Sequence, residues 1–350
     1  MARSMMLPWL APRWHEIVKG IDRLPPGLML VGTSGLGKLE LAMAAAAAIL
    51  CERRTTHGAC GACSACQSLE WGLHPDLHLL TTEQLAQDLP VARAQLAARY
   101  LEPDTARGSR KPRQIITVDQ IRTVIERLGT HSHGGGARVA VIVPASSLNA
   151  NAANALLKVL EEPPGDTRFI LVSSGRDAVP ATVLSRVSVV ECATPPFAQA
   201  RDWLLENGVP AARCAEVLAL SSGAPLAALR QYDQGVIEHT ARWKADLLRL
   251  LEGALLPVSM AASIGNEQAP RFLSWLERLI GDVLARRHGR RDEMQLVGAD
   301  PRDSDIESLL ISRPLWDIMD SLQVYRCRQQ RAVDAQLFME DVLIAIWQKD

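Results

Sequence analysis

The sequence predicts an α/β fold: a parallel sheet built around a phosphate loop and covered by helices, followed by a small helical lid-like domain and an all-α C-terminal domain. Three observations predict it. An apolar run at 27–31 passes through a glycine-rich loop into an alanine- and leucine-rich stretch. Strand-like apolar runs then alternate with helical periodicity up to residue ~190, the pattern of a helix-covered parallel sheet. After Pro195 and Pro196 only helical periodicity continues.

Residues 27–31, Gly-Leu-Met-Leu-Val, are short, apolar and followed by glycines, and read as a buried strand entering a tight loop. Residues 39–51 read as a helix, since alanine and leucine dominate and no proline interrupts. The stretch 83–113 fits the alternation least. It joins a helix near 91–100 to the basic, glycine-containing run 107–113, and reads as a partly mobile surface insertion. Downstream, Val118, Ile121, Val124, Ile125 and Leu128 recur at three- and four-residue intervals behind Thr117, a candidate helix cap. The glycines at 134–136 end that helix. Residues 138–143 read as a second buried strand, 151–160 as a helix stopped by Pro163 and Pro164, and 168–172 as a third strand.

Beyond the proline pair, 197–235 carries short helices and the turn Ser221-Ser222-Gly223-Ala224-Pro225. Longer rows such as Phe272, Trp275, Leu276, Leu279 and Ile280, or Leu315, Ile318, Met319 and Leu322, read as the buried faces of core helices. The expected domains are 1–194, 195–236 and 237–350. A chain of 350 residues agrees with several domains of ~100–200 residues each.

Composition narrows the function classes. The formal net charge is −1, so there is no global electrostatic footprint of the kind that drives nonspecific DNA binding. Trp9, Pro12, Arg13 and Trp14 interrupt the start where a signal peptide needs an unbroken apolar stretch. The most apolar segment, 41–50, has about half of the ~20 residues needed to span a bilayer. A cytoplasmic location is therefore expected.

Gly32-Thr33-Ser34-Gly35-Leu36-Gly37-Lys38 lies between a predicted strand and a predicted helix, the context the Walker A pattern requires. Its glycines let amide groups converge on phosphate at a helix N-terminus, and Lys38 supplies the countercharge. Leu39, however, stands where a Ser or Thr hydroxyl would ligate Mg²⁺, and the second strand ends Val143-Pro144-Ala145-Ser146, without the Asp and Glu that hold metal and activate water. Two readings stay open at Gly32, Gly35, Gly37 and Lys38: a loop that still holds ATP or ADP, and a structural turn that holds no nucleotide.

Four of the seven cysteines form the pattern Cys51-x8-Cys60-x2-Cys63-x2-Cys66. Four thiolates from a compact loop make a closed tetrahedral Zn²⁺ shell, and Gly58 and Gly61 let the chain wrap closely. A structural zinc module at 51–66 is expected, with disulfide pairing as the alternative. His57 and His74 lie nearby, but the shell is complete without them. Cys192, Cys214 and Cys327 read as small core residues. His131 and His133 flank the glycine run without a carboxylate partner and read as an exposed turn. Arg107, Arg110, Lys111 and Arg113 read as a solvated loop, the alternative being contact with DNA phosphates.

The run Asn154-Ala155-Leu156-Leu157-Lys158-Val159-Leu160-Glu161-Glu162-Pro163-Pro164, followed by Leu184-Ser185-Arg186, resembles the clamp-loader branch of the AAA+ superfamily. With the cysteines, Gly72-Leu73-His74-Pro75-Asp76 and Thr117-Val118-Asp119-Gln120-Ile121-Arg122, the resemblance is to the delta-prime family of bacterial DNA polymerase III, and 336–343 is similar to that family's C-terminal helix. The resemblance implies an AAA+ domain, a lid and an all-α C-terminal collar. It implies a stationary, non-hydrolysing subunit of a five-membered ring with gamma/tau motor subunits and delta, which opens the sliding clamp and places it on primed DNA. It also implies that Arg186 reaches into the ATP site of a neighbouring motor subunit. A planar guanidinium suits that task, and such fingers are worth ~10³–10⁵ in turnover in GTPases. Val187 replaces the family's cysteine after this arginine. The alternatives are an active AAA+ ATPase using Lys38 and a zinc-dependent DNA-binding module.

Overall fold

The computed structural model describes residues 7–102, 112–129, 136–289, 296, 302–328 and 334–348. Arg107, Arg110, Lys111, His131, His133 and the side chain of Cys327 lie outside the described residues. By its internal contacts the chain divides into Met1–Thr194 and Pro195–Asp350.

The first unit is built on five parallel strands: β1 (Gly27–Val31), β2 (Leu77–Thr81), β3 (Arg138–Val143), β4 (Thr167–Ser173) and β5 (Ser188–Glu191), in the order β2-β3-β4-β1-β5. Leu28 pairs with Ile170 on one side and Ser188 on the other, so the strand that leads into the glycine loop is interior to the sheet. Every residue of β1 and β3 is buried, as the continuous apolar runs of a helix-covered parallel sheet require. Ile121, Val124 and Leu128 of the helix Val118–Gly129 and Leu156 and Leu160 of Ala150–Glu161 share a core with Met29, Ala140, Ile142, Phe169 and Leu171. The helix Lys38–Leu50 packs on β3 and β4.

The helix starts follow local chemistry. Thr117 N–H donates to Gln120 Oε1 (2.8 Å) while Gln120 N–H donates to Thr117 Oγ1 (3.4 Å), a reciprocal cap. Asn149 Oδ1 accepts from Ala152 N–H at 2.7 Å.

β1 and β3 have the predicted limits, and β4 runs one residue further at each end. β2 and β5 were not anticipated, nor were the helices Ala11–Lys19 and Ser64–Glu70. The described part of 83–113 is packed, not loose. It forms helices Glu83–Gln87 and Val91–Ala98, buries Leu96, Ala97 and Tyr100, and closes at its far end where Arg113 N–H donates to the buried Glu83 carboxylate at 2.8 Å.

In the second unit, Phe197–Glu206, Ala211–Leu220 and Pro225–Asp233 enclose a small core that includes Ala200, Leu204, Cys214, Val217, Leu218 and Ala228. A separate, larger core joins Val236–Leu251, Pro257–Arg287, Leu315–Arg328 and Ala335–Trp347. Trp243 lies 5.5 Å from Phe272 and 5.7 Å from Trp275, ring centre to ring centre. The predicted row Phe272, Trp275, Leu276, Leu279 and Ile280 is buried throughout. Gly265 (φ 74, ψ 162) breaks the long helix Pro257–Arg287 into two. Within this unit Lys244 and Asp303 form a buried ion pair at 2.8 Å. No helix of the described residues is long and apolar enough to cross a membrane.

Candidate functional site

The glycine loop leaves the C-terminal end of β1 and feeds the helix Lys38–Leu50. Gly35 (φ 86) and Gly37 (φ 88) take the left-handed conformation that the tight return requires. At Gly32 (φ 154) a Cβ would lie 2.2 Å from the carbonyl oxygen of Cys192. The chain after β5 is held there because Cys192 N–H donates to Val31 O at 2.7 Å. On the other flank Trp9 Nε1–H donates to Leu36 O at 2.8 Å. Lys38 is buried, and its Nζ donates to the loop's own carbonyls, Gly32 O and Thr33 O, both at 2.6 Å. Burial pulls the Lys38 ammonium down to about 8, against the smaller opposing influence of Cys192 and Glu40.

Left-handed glycines before a helix and a lysine at its first turn are the features a phosphate-binding turn uses; here the lysine is turned onto the loop's own carbonyls. The position after the lysine carries no hydroxyl for an accompanying metal. Leu39 offers only hydrocarbon, and β3 ends in Val143, Pro144 and the fully buried Ala145, so no carboxylate extends from that strand end. The nearest acid in sequence, Glu40, is paired with Arg93 at 3.1 Å.

The cysteines converge. Cys51, Cys60, Cys63 and Cys66 place their sulfurs within 4.8 Å of one another. The Cys51–Cys63, Cys51–Cys66 and Cys60–Cys66 Sγ separations are 3.8, 3.7 and 4.0 Å. Tetrahedral Zn–S bonds of ~2.3 Å require S···S separations of about 3.8 Å, whereas a disulfide requires ~2.05 Å. The arrangement fits a Cys₄ metal shell and not two disulfides. Backbone N–H groups support the sulfurs: Cys60 to Cys51 (3.2 Å), Gly61 to Cys66 (3.3 Å), and Cys66 to Cys63 (3.4 Å), the last capping the helix Ser64–Glu70. Hydrogen bonds from Ala62 and Cys63 N–H draw the Cys60 thiol down to about 6, while burial pushes Cys66 up to about 12. Gly58 (φ 114) lies where a Cβ would meet the Trp14 ring at 2.6 Å, so the module is seated on the helix Ala11–Lys19. His74 is buried, with its Nδ1 accepting from Asp76 N–H (3.2 Å). The metal-competent group found among the described residues consists of the four cysteines alone. Cys192 and Cys214 are buried.

Arg186 follows the short helix Ala181–Leu184 and precedes β5. Its Nε and Nη2 both donate to Glu161 Oε1, at 2.6 and 2.5 Å, and its Nη1 donates to Thr182 O (2.8 Å) and Ser185 Oγ (3.0 Å). Arg113, from the basic stretch, is paired with Glu102 at 2.8 Å.

Three participants were not singled out from the sequence. Glu161 carried a signal, as a carboxylate inside the recognised motif. Trp9 and the Cys192 backbone carried none, because they reach the loop from 27 residues before Leu36 and 160 residues after Gly32.

The family model described as DNA polymerase III, delta subunit, matches residues 12–196. The delta-prime subunit of DNA polymerase III from Pseudomonas aeruginosa is 35% identical over 270 residues, covering 77% of this chain and 74% of the relative. That of Escherichia coli K12 is 32% identical, covering 81% and 77%. The tau subunit of Salmonella typhimurium is 27% identical over 47% of this chain and 21% of its own length. A solved gamma-subunit-related protein from Thermotoga maritima aligns over 96% of this chain and 99% of its own at 16% identity, with a TM-score of 0.43. On the family match, and on identity extending over three quarters of the chain, this protein belongs to the delta-prime subunit family of bacterial DNA polymerase III.

Proposed function

We propose that the chain is a non-hydrolysing clamp-loader subunit: it assembles with gamma/tau motor subunits and delta, helps load the sliding clamp on primed DNA, and supplies Arg186 to a neighbour's ATP site. The observation that carries the reading is the phosphate loop. Lys38 is retained, while neither Leu39 nor the Val143-Pro144-Ala145 strand end offers an oxygen to Mg²⁺. Phosphoryl transfer depends on that metal and on a positioned base, so the chain's own chemistry is lost, whereas a guanidinium acting in trans needs neither.

Residues 195–236 serve as a lid and 237–350 as a collar in this reading, supported by the two separate helical cores. The four cysteines hold a structural zinc, for which their sulfur spacing is suited. Gly32, Gly35, Gly37 and Lys38 would contact phosphate if ATP or ADP enters. The similarity to a tau subunit supports a shared AAA+ ancestry with the motor subunits.

The test is ATP hydrolysis by the purified chain alone, with Lys38→Ala as control. Rates at the level of the control are expected. Mg²⁺-dependent turnover abolished by Lys38→Ala would make the chain an active ATPase and end the proposal.

A further inference from the structure

The contacts of Arg186 raise a question that its sequence motif does not: what holds the guanidinium when no neighbour is present. An arginine offers five N–H donors in a planar fork, and phosphate is bound best when one edge of that fork presents two parallel donors. In this chain both edges are in use. The Nε–Nη2 edge is closed on Glu161 Oε1, and Nη1 is shared between Thr182 O and Ser185 Oγ. A finger in this position cannot present two donors to a phosphate without giving up bonds it already makes.

The partners are not equivalent. Thr182 and Ser185 lie on the arginine's own turn, are neutral and move with it. Glu161 comes from another element, 25 residues earlier, and carries the only charge in the set. It is the last residue of the helix Ala150–Glu161. A carboxylate is disfavoured there by the partial negative charge of the helix end, unless a cation is set against it. Arg186 is that cation.

We propose that Glu161 is a carboxylate latch: it keeps Arg186 folded against its own chain until a neighbouring subunit's nucleotide phosphate displaces it. The proposal rests on the reading of Arg186 as a finger. Glu161 is a positioning residue that acts only through the arginine and touches no nucleotide. The pair is partly exposed, with side chains at 32% and 50%, and such pairs shift equilibria by a few fold at most. The latch is therefore weak enough for a multiply charged phosphate to displace, yet strong enough to set a threshold.

The test uses the complete reconstituted ring and reads DNA-stimulated ATP turnover with four versions of this chain: unaltered, Glu161→Gln, Arg186→Ala and the double variant. Glu161→Gln keeps the shape of the side chain and removes its charge at a half-exposed site, so folding is not at stake. Turnover is expected to rise about two- to fivefold in Glu161→Gln, to fall in Arg186→Ala, and to be the same in the double variant as in Arg186→Ala. If Arg186→Ala lowers turnover but Glu161→Gln leaves it unchanged or lowers it, the latch is wrong and the finger stands. A Glu161→Gln effect that persists without Arg186 also overturns the latch, because it then acts by another route. If Arg186→Ala has no effect, the finger fails and the latch falls with it.

Discussion

Removing the metal from the cysteine module should unfold residues 51–66 and leave the sheet intact. The module has almost no apolar core. Cys63, Ala65 and Cys66 are its buried members, with Cys51, Ala59 and Cys60 partly covered. At ~0.8 kcal/mol per buried methylene, side chains of this size contribute on the order of 1 kcal/mol each. A structural zinc in a thiolate shell contributes ~10–16 kcal/mol at neutral pH, so the ion would supply most of what orders this loop. The sheet core draws on other residues, among them Met29, Ile142, Leu156 and Phe169, and does not depend on the module. The perturbation is chelation, alongside Cys63→Ala, which removes a buried ligand whose sulfur also caps the helix Ser64–Glu70. The assay is metal analysis together with hydrogen exchange resolved along the chain. One equivalent of zinc is expected, with protection lost across 51–70 on chelation and retained in β1, β3 and β4. A chain purified without metal, or one whose amides at 51–66 stay equally protected after chelation, would show that the loop is ordered without an ion.

Further expectations concern the loop and the helical unit. Gly32→Ala should cost at least ~1–3 kcal/mol by denaturant titration, since the new Cβ would lie 2.2 Å from the Cys192 oxygen on a backbone at φ 154. Lys38 titrates near 8 in the folded chain against an ordinary 10.5. Between those values the unfolded chain binds more protons, so stability should rise with pH by on the order of 3 kcal/mol, a slope that Lys38→Met should abolish. Lys244→Met removes the cation paired with the Asp303 carboxylate, which is 1% exposed, and should destabilise the C-terminal unit, by up to ~3–5 kcal/mol in chemical denaturation.

The elements legible in the sequence were those whose local pattern agrees with their tertiary role. β1, β3 and β4 are apolar runs because helices cover both faces, and the helix Val118–Gly129 shows its period of burial plainly. The two missed strands lie at the sheet edges. β2 contains His78, which reads as polar although it is buried and bonded to Tyr100. β5 is four residues long and its end residues are exposed, so it has too little apolar signal to stand out. At the site, the missing Mg²⁺ hydroxyl, the absent strand-end carboxylates and the cysteine spacing are properties of single positions and could be read directly. The closure of the loop on Trp9 and Cys192 and the capture of Arg186 by Glu161 are pairings between distant segments, created by the sheet order.

In the proposed role the chain has lost its own hydrolysis and keeps one catalytic group, Arg186, for use in trans. The most direct measurement is the DNA-stimulated ATPase of a ring whose motor subunits are intact and whose copy of this chain carries Arg186→Ala, with assembly checked by size-exclusion chromatography. An assembled ring with reduced turnover is the predicted result, and an assembled ring with undiminished turnover would contradict it.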